Sequence, residues 1–514
     1  MKATSNLREV VNRLTVKPQL NISPLTTLAR AAVATAAFAC LSGGAGTLAA
    51  QTEGNYTVRA DQPHQVIRGL GFEIQSDSIG SGNAGMPEEV IAVPHDLTPS
   101  EKVRFAKEML HGFRYARLAM GLYLRGLDAD KKHIIERYPG QMADLKQMQD
   151  LSGIEGFDVE YWSPAPFWKK DKTYYGGTIG GNDPAFVNDF SNAMVQDLKY
   201  LKGHGLRVSQ WSLQNEPNVD LAAKLQGGPV GSAKGQAYST CYYSPEDYRT
   251  VLSATAPKVK ALFPSVDIHA PSNDGASGKW GQAIRKDPNW KSYVDSWTWH
   301  QIGHNSSDQI TLRDKYLANT EGKPVYETEF EYQFWDKAIS VDGYFMNTGQ
   351  TLMNWMVFED SPVWYWIHAL KPVTNMEATG YALGYWRPAG ELKNNLQPSI
   401  QPGHFDYNPH NYNAIAGFLK YLPWDSTRLA VEESQVLPDQ RILVWRAKSG
   451  ALGVALSNRG TAPFTFHLHG VTSRRLTGHR YTVQTRDTPL SSRSADRDLA
   501  ITVPPQSFEF WTGK

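Results

Sequence analysis

The 514-residue chain is 41% hydrophobic and 20% charged, a globular composition too long for one ordinary core and suited to a large barrel with a smaller domain. Its formal charge is +1. Setting aside residues 1–50, which hold five basic residues and one acidic residue (Glu9), takes it to −3, so the charge invites neither nucleic acid nor an anionic membrane.

Residues 1–50 read as an export signal, with Lys2, Arg8, Arg13, Lys17 and Arg30 preceding an apolar, Ala-rich run over 31–41. A small-residue segment ending at Ala49-Ala50 suits cleavage there, and the apolar run is too short to anchor the chain. The expected location is therefore secreted or periplasmic, with no membrane span after signal removal. Cys40 belongs to the signal, which leaves Cys241 as a buried thiol and excludes an internal disulfide in the mature chain.

Residues 51–66 are strand-like, with short strands at 56–58 and 65–67. From residue 67 to 424, short apolar strands alternate with helical stretches, the signature of βα units. Strands are predicted at 69–74, 115–120, 157–162, 207–213, 266–270, 296–299, 325–330 and 363–367, and helices at 184–204, 245–262 and 341–358. Eight strands are what a closed (β/α)8 TIM barrel requires. Beyond Trp424 the texture becomes short, β-rich and turn-separated, with strands predicted at 435–437, 442–447, 453–458, 464–469, 481–485, 499–503 and 508–511. The fold class is therefore α/β: residues 67–424 form the barrel, residues 425–514 an appended antiparallel β-sandwich, and residues 51–66 join the sandwich.

The chemistry concentrates where strands end. Asn215-Glu216-Pro217 closes the fourth predicted strand: Pro217 disfavours helical geometry at Glu216, and Asn215 sets an amide donor beside the carboxylate, able to hold a sugar hydroxyl. On its own the tripeptide fits a solvated turn equally well. The seventh strand supplies a partner in Glu327-Thr328-Glu329-Phe330-Glu331, where period-2 geometry puts three glutamates on one face if the strand persists. Three ionised carboxylates there would be costly, so the strand is expected to end or bend near Glu329. Glu327 is then expected in an ion pair and Glu331 in the loop. Two carboxylates flanking one bond suit glycoside cleavage. Arg117, on the second strand, is the candidate cation to hold one of them ionised; a salt bridge beneath the barrel is the alternative.

Of the 15 tryptophans, 12 lie between Trp162 and Trp386, a density that suits core packing or stacking on sugar rings. Trp299 and Trp366 end strands and fit either role, whereas Trp355 reads as core. His300 and His304 have helical metal-ligand spacing without the intervening Glu of zinc proteases, so His300 is expected to hydrogen-bond a carboxylate or substrate. No metal or cofactor is expected. Asn55 and Asn305 open glycosylation sequons.

An ordered set of motifs resembles glycoside hydrolase family 30, within the clan of retaining barrel glycosidases. Gly69-Leu70-Gly71-Phe72 resembles the family's opening Gly-Phe-Gly, and Arg117-Leu118-Ala119-Met120 its Arg-Val-Pro-Met. Trp162-Ser163-Pro164-Ala165-Pro166-Phe167-Trp168-Lys169 resembles its Trp-Ser-Pro-Pro-Ala-Trp-Met-Lys. Tyr412-Asn413-Ala414-Ile415-Ala416-Gly417-Phe418-Leu419-Lys420 resembles the segment that links barrel to side domain. The resemblance implies Glu216 as general acid/base, Glu329 as nucleophile, and Trp162 and Asn215 lining the subsite of cleavage, in an oligo- or polysaccharide hydrolase acting on β-linked glycans. A non-catalytic carbohydrate-binding protein and a transglycosylase are the alternatives on the same fold.

The departures are as informative. The family's Asp after the second strand is absent from Gly121-Leu122-Tyr123-Leu124. Its His-Trp-Tyr appears as His300-Gln301-Ile302, and its Trp-Asn on the eighth strand as Trp366-Ile367. The opening motif runs on into Glu73-Ile74-Gln75-Ser76-Asp77-Ser78. These changes imply a rebuilt sugar pocket.

Overall fold

The computed structural model describes residues 52–74, 93–121, 125–127, 130–136, 138–172, 176–219, 240–301, 305–306, 316–331, 340–373, 382–390, 399–471, 473, 475–495 and 497–513. Residues 1–50, where the export signal is expected, residues 75–78 and 122–124, Ile302 and His304 lie outside them.

Among the described residues, eight parallel strands stand side by side in chain order: Gly69–Glu73, Tyr115–Gly121, Gly156–Ser163, Val208–Ser212, Asp267–Ile268, Trp297–His300, Val325–Phe330 and Val363–Trp366. The eighth pairs with the first through Val363–Gly69 and its successors. A single parallel bridge between His269 and Ser296 joins the fifth to the sixth and closes the ring. Each strand matches a predicted one to within a few residues. The helices between them start on strong signals. Asp183 caps Pro184–Gly203 through the amides of Ala185 and Phe186, and Ser244 caps Pro245–Leu262 through that of Asp247.

The barrel's inside is polar and layered. At its floor Tyr326 donates to Asp267 at 2.7 Å, beside Arg68, and Tyr115 stacks on Tyr365 with centroids 6.2 Å apart. One layer up, His269 bridges Asp158 and Thr298, each at 2.9 Å. Pairing of this kind offsets much of the cost of burying such groups. The apolar faces of the same strands turn outward onto the helices, where Trp211, Trp297, Trp355, Trp364 and Trp366 are fully buried.

The β-rich remainder differs from the predicted sandwich. It is one nine-stranded sheet in the order Thr488–Ser494, Arg475–Tyr481, Ser507–Gly513, Leu452–Asn458, Gln440–Arg446, Ser426–Glu433, Glu53–Ile67, Phe464–Val471, Arg497–Val503. The sheet curls until Arg497–Val503 packs near Leu452–Asn458 and Ser507–Gly513, enclosing Tyr56, Val58, Ile442, Val454, Phe466 and Trp511. Its continuity comes from Glu53–Ile67, which pairs antiparallel with Ser426–Glu433 and parallel with Phe464–Val471. The two short strands expected at 56–58 and 65–67 are this single element, with register shifts on either side of Pro63, which has no N–H for the ladder. Residues 435–437 are not a strand. Cys241 is a free, fully buried thiol, and burial pushes its pKa up to about 12.

Helix Pro409–Tyr421 docks on strand Ser507–Gly513, with Phe418 edge-on to Phe510 at 4.8 Å. A Cβ on Gly417 would lie 2.0 Å from the Phe510 ring. Gly417→Ala ordinarily gains up to about 1 kcal/mol in a helix. Here the clash reverses the sign, and urea denaturation should show a net loss on the order of 1–3 kcal/mol.

Candidate active site

The C-terminal ends of the barrel strands bring together Glu73, Arg117, Glu160, Trp162, Asn215, Glu216, His300 and Glu329. Arg117, fully buried on the second strand, is the hub. Its Nη1 donates to Glu73 Oε2 at 2.8 Å and to Glu329 Oε2 at 2.6 Å. Its Nε donates to Glu160 Oε2 at 2.9 Å, and Nη2 donates to Glu160 and, at 2.5 Å, to Asn215 Oδ1. The guanidinium also lies 5.5 Å from the Trp162 ring centroid. A planar fork that meets four acceptors fixes their positions relative to one another.

Glu216 sits just past the fourth strand at φ +44°, a left-handed backbone rare for a residue with a side chain. The amide of Asn215 bonds to the Tyr161 carbonyl at 2.7 Å and that of Tyr243 to the Pro217 carbonyl at 2.9 Å, holding the turn on both sides. His300 Nδ1 lies 3.1 Å from Glu216 Oε1 and 3.5 Å from Glu329 Oε2. One carboxylate oxygen of Glu216, one of Glu329 and a ring nitrogen of His300 all lie within 4.8 Å of one another. The two carboxylates are therefore near neighbours at the mouth of the barrel. These three groups could also ligate a cation. Glu329 Oε2, however, already accepts from the Arg117 guanidinium, whose charge opposes a metal there.

Glu329 reaches the mouth through a bulge. The seventh strand shifts register against both neighbours between Glu327 and its successors. Tyr326 is inside the barrel, while Phe330 packs on Trp364 and Trp366 in the helix layer. One extra residue between them turns Glu329 inward. Glu327 instead uses its carboxylate to accept the Glu329 amide at 2.9 Å. The three glutamates thus do not share one face, and among the described residues Glu327 forms no ion pair of the kind the sequence suggested; burial holds its pKa well above the ordinary range.

Two of the predicted tryptophans stand elsewhere. Trp366 is fully buried in the outer layer, edge-on to Phe330 at 5.6 Å. Trp299 faces outward too, edge-on to Tyr316 at 5.1 Å, with Gly275 against its indole. Both end strands, but their parity points them at helices. Conversely, the sequence reading names neither Glu160 nor Ser272; Glu73 enters it only as a departure in the opening motif, and Glu331, expected in the loop, lies just past the strand and is buried. Alternation of Asp158, Glu160 and Trp162 along one strand was the signal available for Glu160.

The electrostatics follow from crowding. Burial alone raises Glu160, but Arg117 and then His269 outweigh it and keep Glu160 below the ordinary range, with Ser272 donating to it. Glu329 is raised by burial, an effect that His300 and Arg117 oppose and Glu216 reinforces. Glu73 and Glu331, buried beside these carboxylates, are each pushed up to about 8, chiefly by desolvation. Between an unfolded value of 4.5 and about 8, the native state binds protons that the unfolded chain has released, so stability falls as pH rises across that window. His269 adds the same sign: Asp158 outweighs burial to raise its pKa, and that stabilisation is lost as pH climbs through the raised value. Calorimetry at fixed ionic strength should show the melting midpoint dropping across this range, with a shallower drop in Glu331→Gln. A flat wild-type profile contradicts it.

No protein-family model matches the chain, and no curated protein matches it in sequence. Solved structures do match, several of them named family 30 xylanases, so the fold resembles that of glycoside hydrolase family 30. The catalytic domain of the family 30 xylanase C from Talaromyces cellulolyticus aligns with a TM-score of 0.65, at 14% identity, over 90% of this chain and 100% of its own. A conserved exported protein from Bacteroides fragilis aligns at 0.68 and 11% identity, over 89% and 99%. An endo-β1,6-glucanase aligns at 0.62 and 16% identity, over 89% and 93%. The resemblance seen in the motifs therefore extends to the whole fold.

Proposed function

We propose that this protein is an exported retaining glycoside hydrolase that cleaves a β-linked glycan, with Glu329 as nucleophile and Glu216 as general acid/base. The observation that carries the reading is the close approach of Glu216 and Glu329 across His300, within 4.8 Å. In this reading the Glu329 carboxylate attacks the anomeric carbon as the glycosidic C–O bond breaks, and Glu216 gives its proton to the leaving oxygen. Glu216 then takes a proton from water, which displaces Glu329 and frees the sugar. Arg117 supports the ionised form of Glu329 through the 2.6 Å bond, and the buried Asn215 Nδ2, which has no hydrogen-bond partner among the described residues, is available to a hydroxyl of the ring under attack.

Two solved structures of the same fold are named a xylanase and an endo-β1,6-glucanase, and a third an exported protein, which supports a polysaccharide substrate met outside the cytoplasm. No helix among the described residues is long and apolar enough to cross a membrane. The test is a panel of plant, fungal and bacterial polysaccharides with the anomeric form of the first product read by NMR. Cleavage with retained configuration is expected. Inversion, or binding without cleavage of any glycan, overturns the reading.

A further inference from the structure

Beside the two mouth glutamates lies a carboxylate that the double displacement does not use. Glu160, on the third strand, is fully buried. Its Oε2 accepts from both Nε and Nη2 of Arg117, and its Oε1 accepts from the Ser272 hydroxyl. Ser272 Oγ in turn lies 3.2 Å from Ser212 Oγ on the fourth strand. Burial works against a charge on Glu160, but Arg117 and then His269 outweigh it, so the group stays ionised.

A guanidinium carries five N–H hydrogens, and in Arg117 each one meets an acceptor. Glu160 takes the Nε hydrogen and one on Nη2, Asn215 Oδ1 takes the other on Nη2, and Glu73 and Glu329 take the two on Nη1. These acceptors do not constrain the group equally. Glu73, Glu329 and Asn215 each hold a single hydrogen, and one bond leaves a guanidinium free to swing about it. Glu160 alone spans two of the nitrogens, and a two-point contact fixes the plane. With the plane set, covalent geometry fixes where the remaining hydrogens point. They meet Glu329 Oε2 at 2.6 Å and Asn215 Oδ1 at 2.5 Å. Asn215 immediately precedes Glu216, so one plane touches both halves of the reacting pair.

Resting on the hydrolase reading, we infer that Glu160 is a positioning residue for the two mouth glutamates: its two-point grip on Arg117 aims Nη1 at Glu329 and Nη2 at the residue that carries Glu216. Glu160 acts only through Arg117, and what matters is the span of its grip as well as its charge. Two conservative substitutions separate these. Glu160→Gln drops the charge but keeps the reach: its carbonyl still accepts from the Nε–Nη2 edge while its amide faces the Ser272 hydroxyl. Glu160→Asp keeps the charge but is one methylene too short to hold that edge and Ser272 together.

The experiment compares both variants with wild type on the full chain. On the glycan that the wild type cleaves, Glu160→Asp should lose about 10²-fold in kcat, the effect of misplacing reacting groups by about 1 Å. Its KM should stay within about threefold. Glu160→Gln should keep kcat within about tenfold of wild type. Rates are taken per active site, counted with a trapping 2-deoxy-2-fluoro glycoside. A merely structural Glu160 would lower that count and leave turnover per site unchanged. The second readout needs no turnover: NMR of the protein labelled with 15N-arginine, with the Arg117 signals assigned by their loss in Arg117→Lys. A fully bonded guanidinium does not rotate, so wild type and Glu160→Gln should show separate Nη1 and Nη2 signals, and Glu160→Asp should show them merged. The inference is overturned if Glu160→Asp turns over at least as fast per site as Glu160→Gln, or if its Arg117 signals stay separate. Should Glu160→Asp not fold, merged signals in Glu160→Gln overturn it and separate signals with kcat kept support it. Signals as expected in a wild type that cleaves no glycan sink the hydrolase reading and leave the grip on Arg117 standing. Cleavage by the wild type with Glu160→Asp the faster variant does the reverse.

Discussion

Glu329→Gln should abolish turnover, lowering kcat by at least about 10⁴-fold, because the amide cannot form the glycosyl ester on which double displacement depends. The fold should survive, since Gln still accepts from Arg117 Nη1 at the Glu329 position. Glu216→Ala should behave differently. With a good leaving group the first step needs little proton donation, so the intermediate accumulates and its release slows by about 10²–10⁴-fold. Azide, small and already nucleophilic, should enter the space left by the side chain and restore release as a glycosyl azide. Equal losses in the two variants, with no azide effect at Glu216→Ala, would assign the roles wrongly.

The second large effect is on the hub. Arg117→Met leaves Glu73, Glu160 and Glu329 buried without the cation that each now touches. Breaking a buried ion pair by removing one partner costs about 3–5 kcal/mol, and urea denaturation at neutral pH should show a loss of at least that size together with loss of activity. The gap should narrow as pH falls, because protonating the carboxylates removes the charge that Arg117 compensates. Arg117→Lys should fold better than Arg117→Met yet lose most turnover: one ammonium cannot span acceptors on four strands. A Met variant as stable as wild type at neutral pH would contradict the account of the mouth.

Much of this was legible because barrel strands advertise themselves. Short apolar runs alternating with capped helices specify βα units whatever the chemistry above them, and all eight lie where the pattern puts them. Glu216 was legible for a local reason, a strand stopped by Pro217. Glu329 was legible as one of three, but what turns it inward was not: the bulge exists only in the register with two neighbouring strands, which no single segment encodes. The misplacement of Trp299 and Trp366 has a simpler origin. A strand end is a mouth position only when parity also points inward, and Tyr365, whose side chain reaches Gln210 inside the barrel, shows that Trp366 must face out. Strand Thr488–Ser494 carries no sequence signal because it is an exposed edge with no apolar alternation to read. Glu160 is silent for the opposite reason, since its meaning comes from Arg117, which lies far from it in sequence and meets it only in the closed ring.

The most direct measurement is covalent trapping. A 2-deoxy-2-fluoro glycoside with an activated leaving group, matched to the preferred glycan, slows release of the intermediate so that the labelled protein can be digested and mapped by mass spectrometry. The account predicts one label, on Glu329, with none on Glu329→Gln. A label on another carboxylate, or turnover of the probe with no covalent adduct, would contradict it.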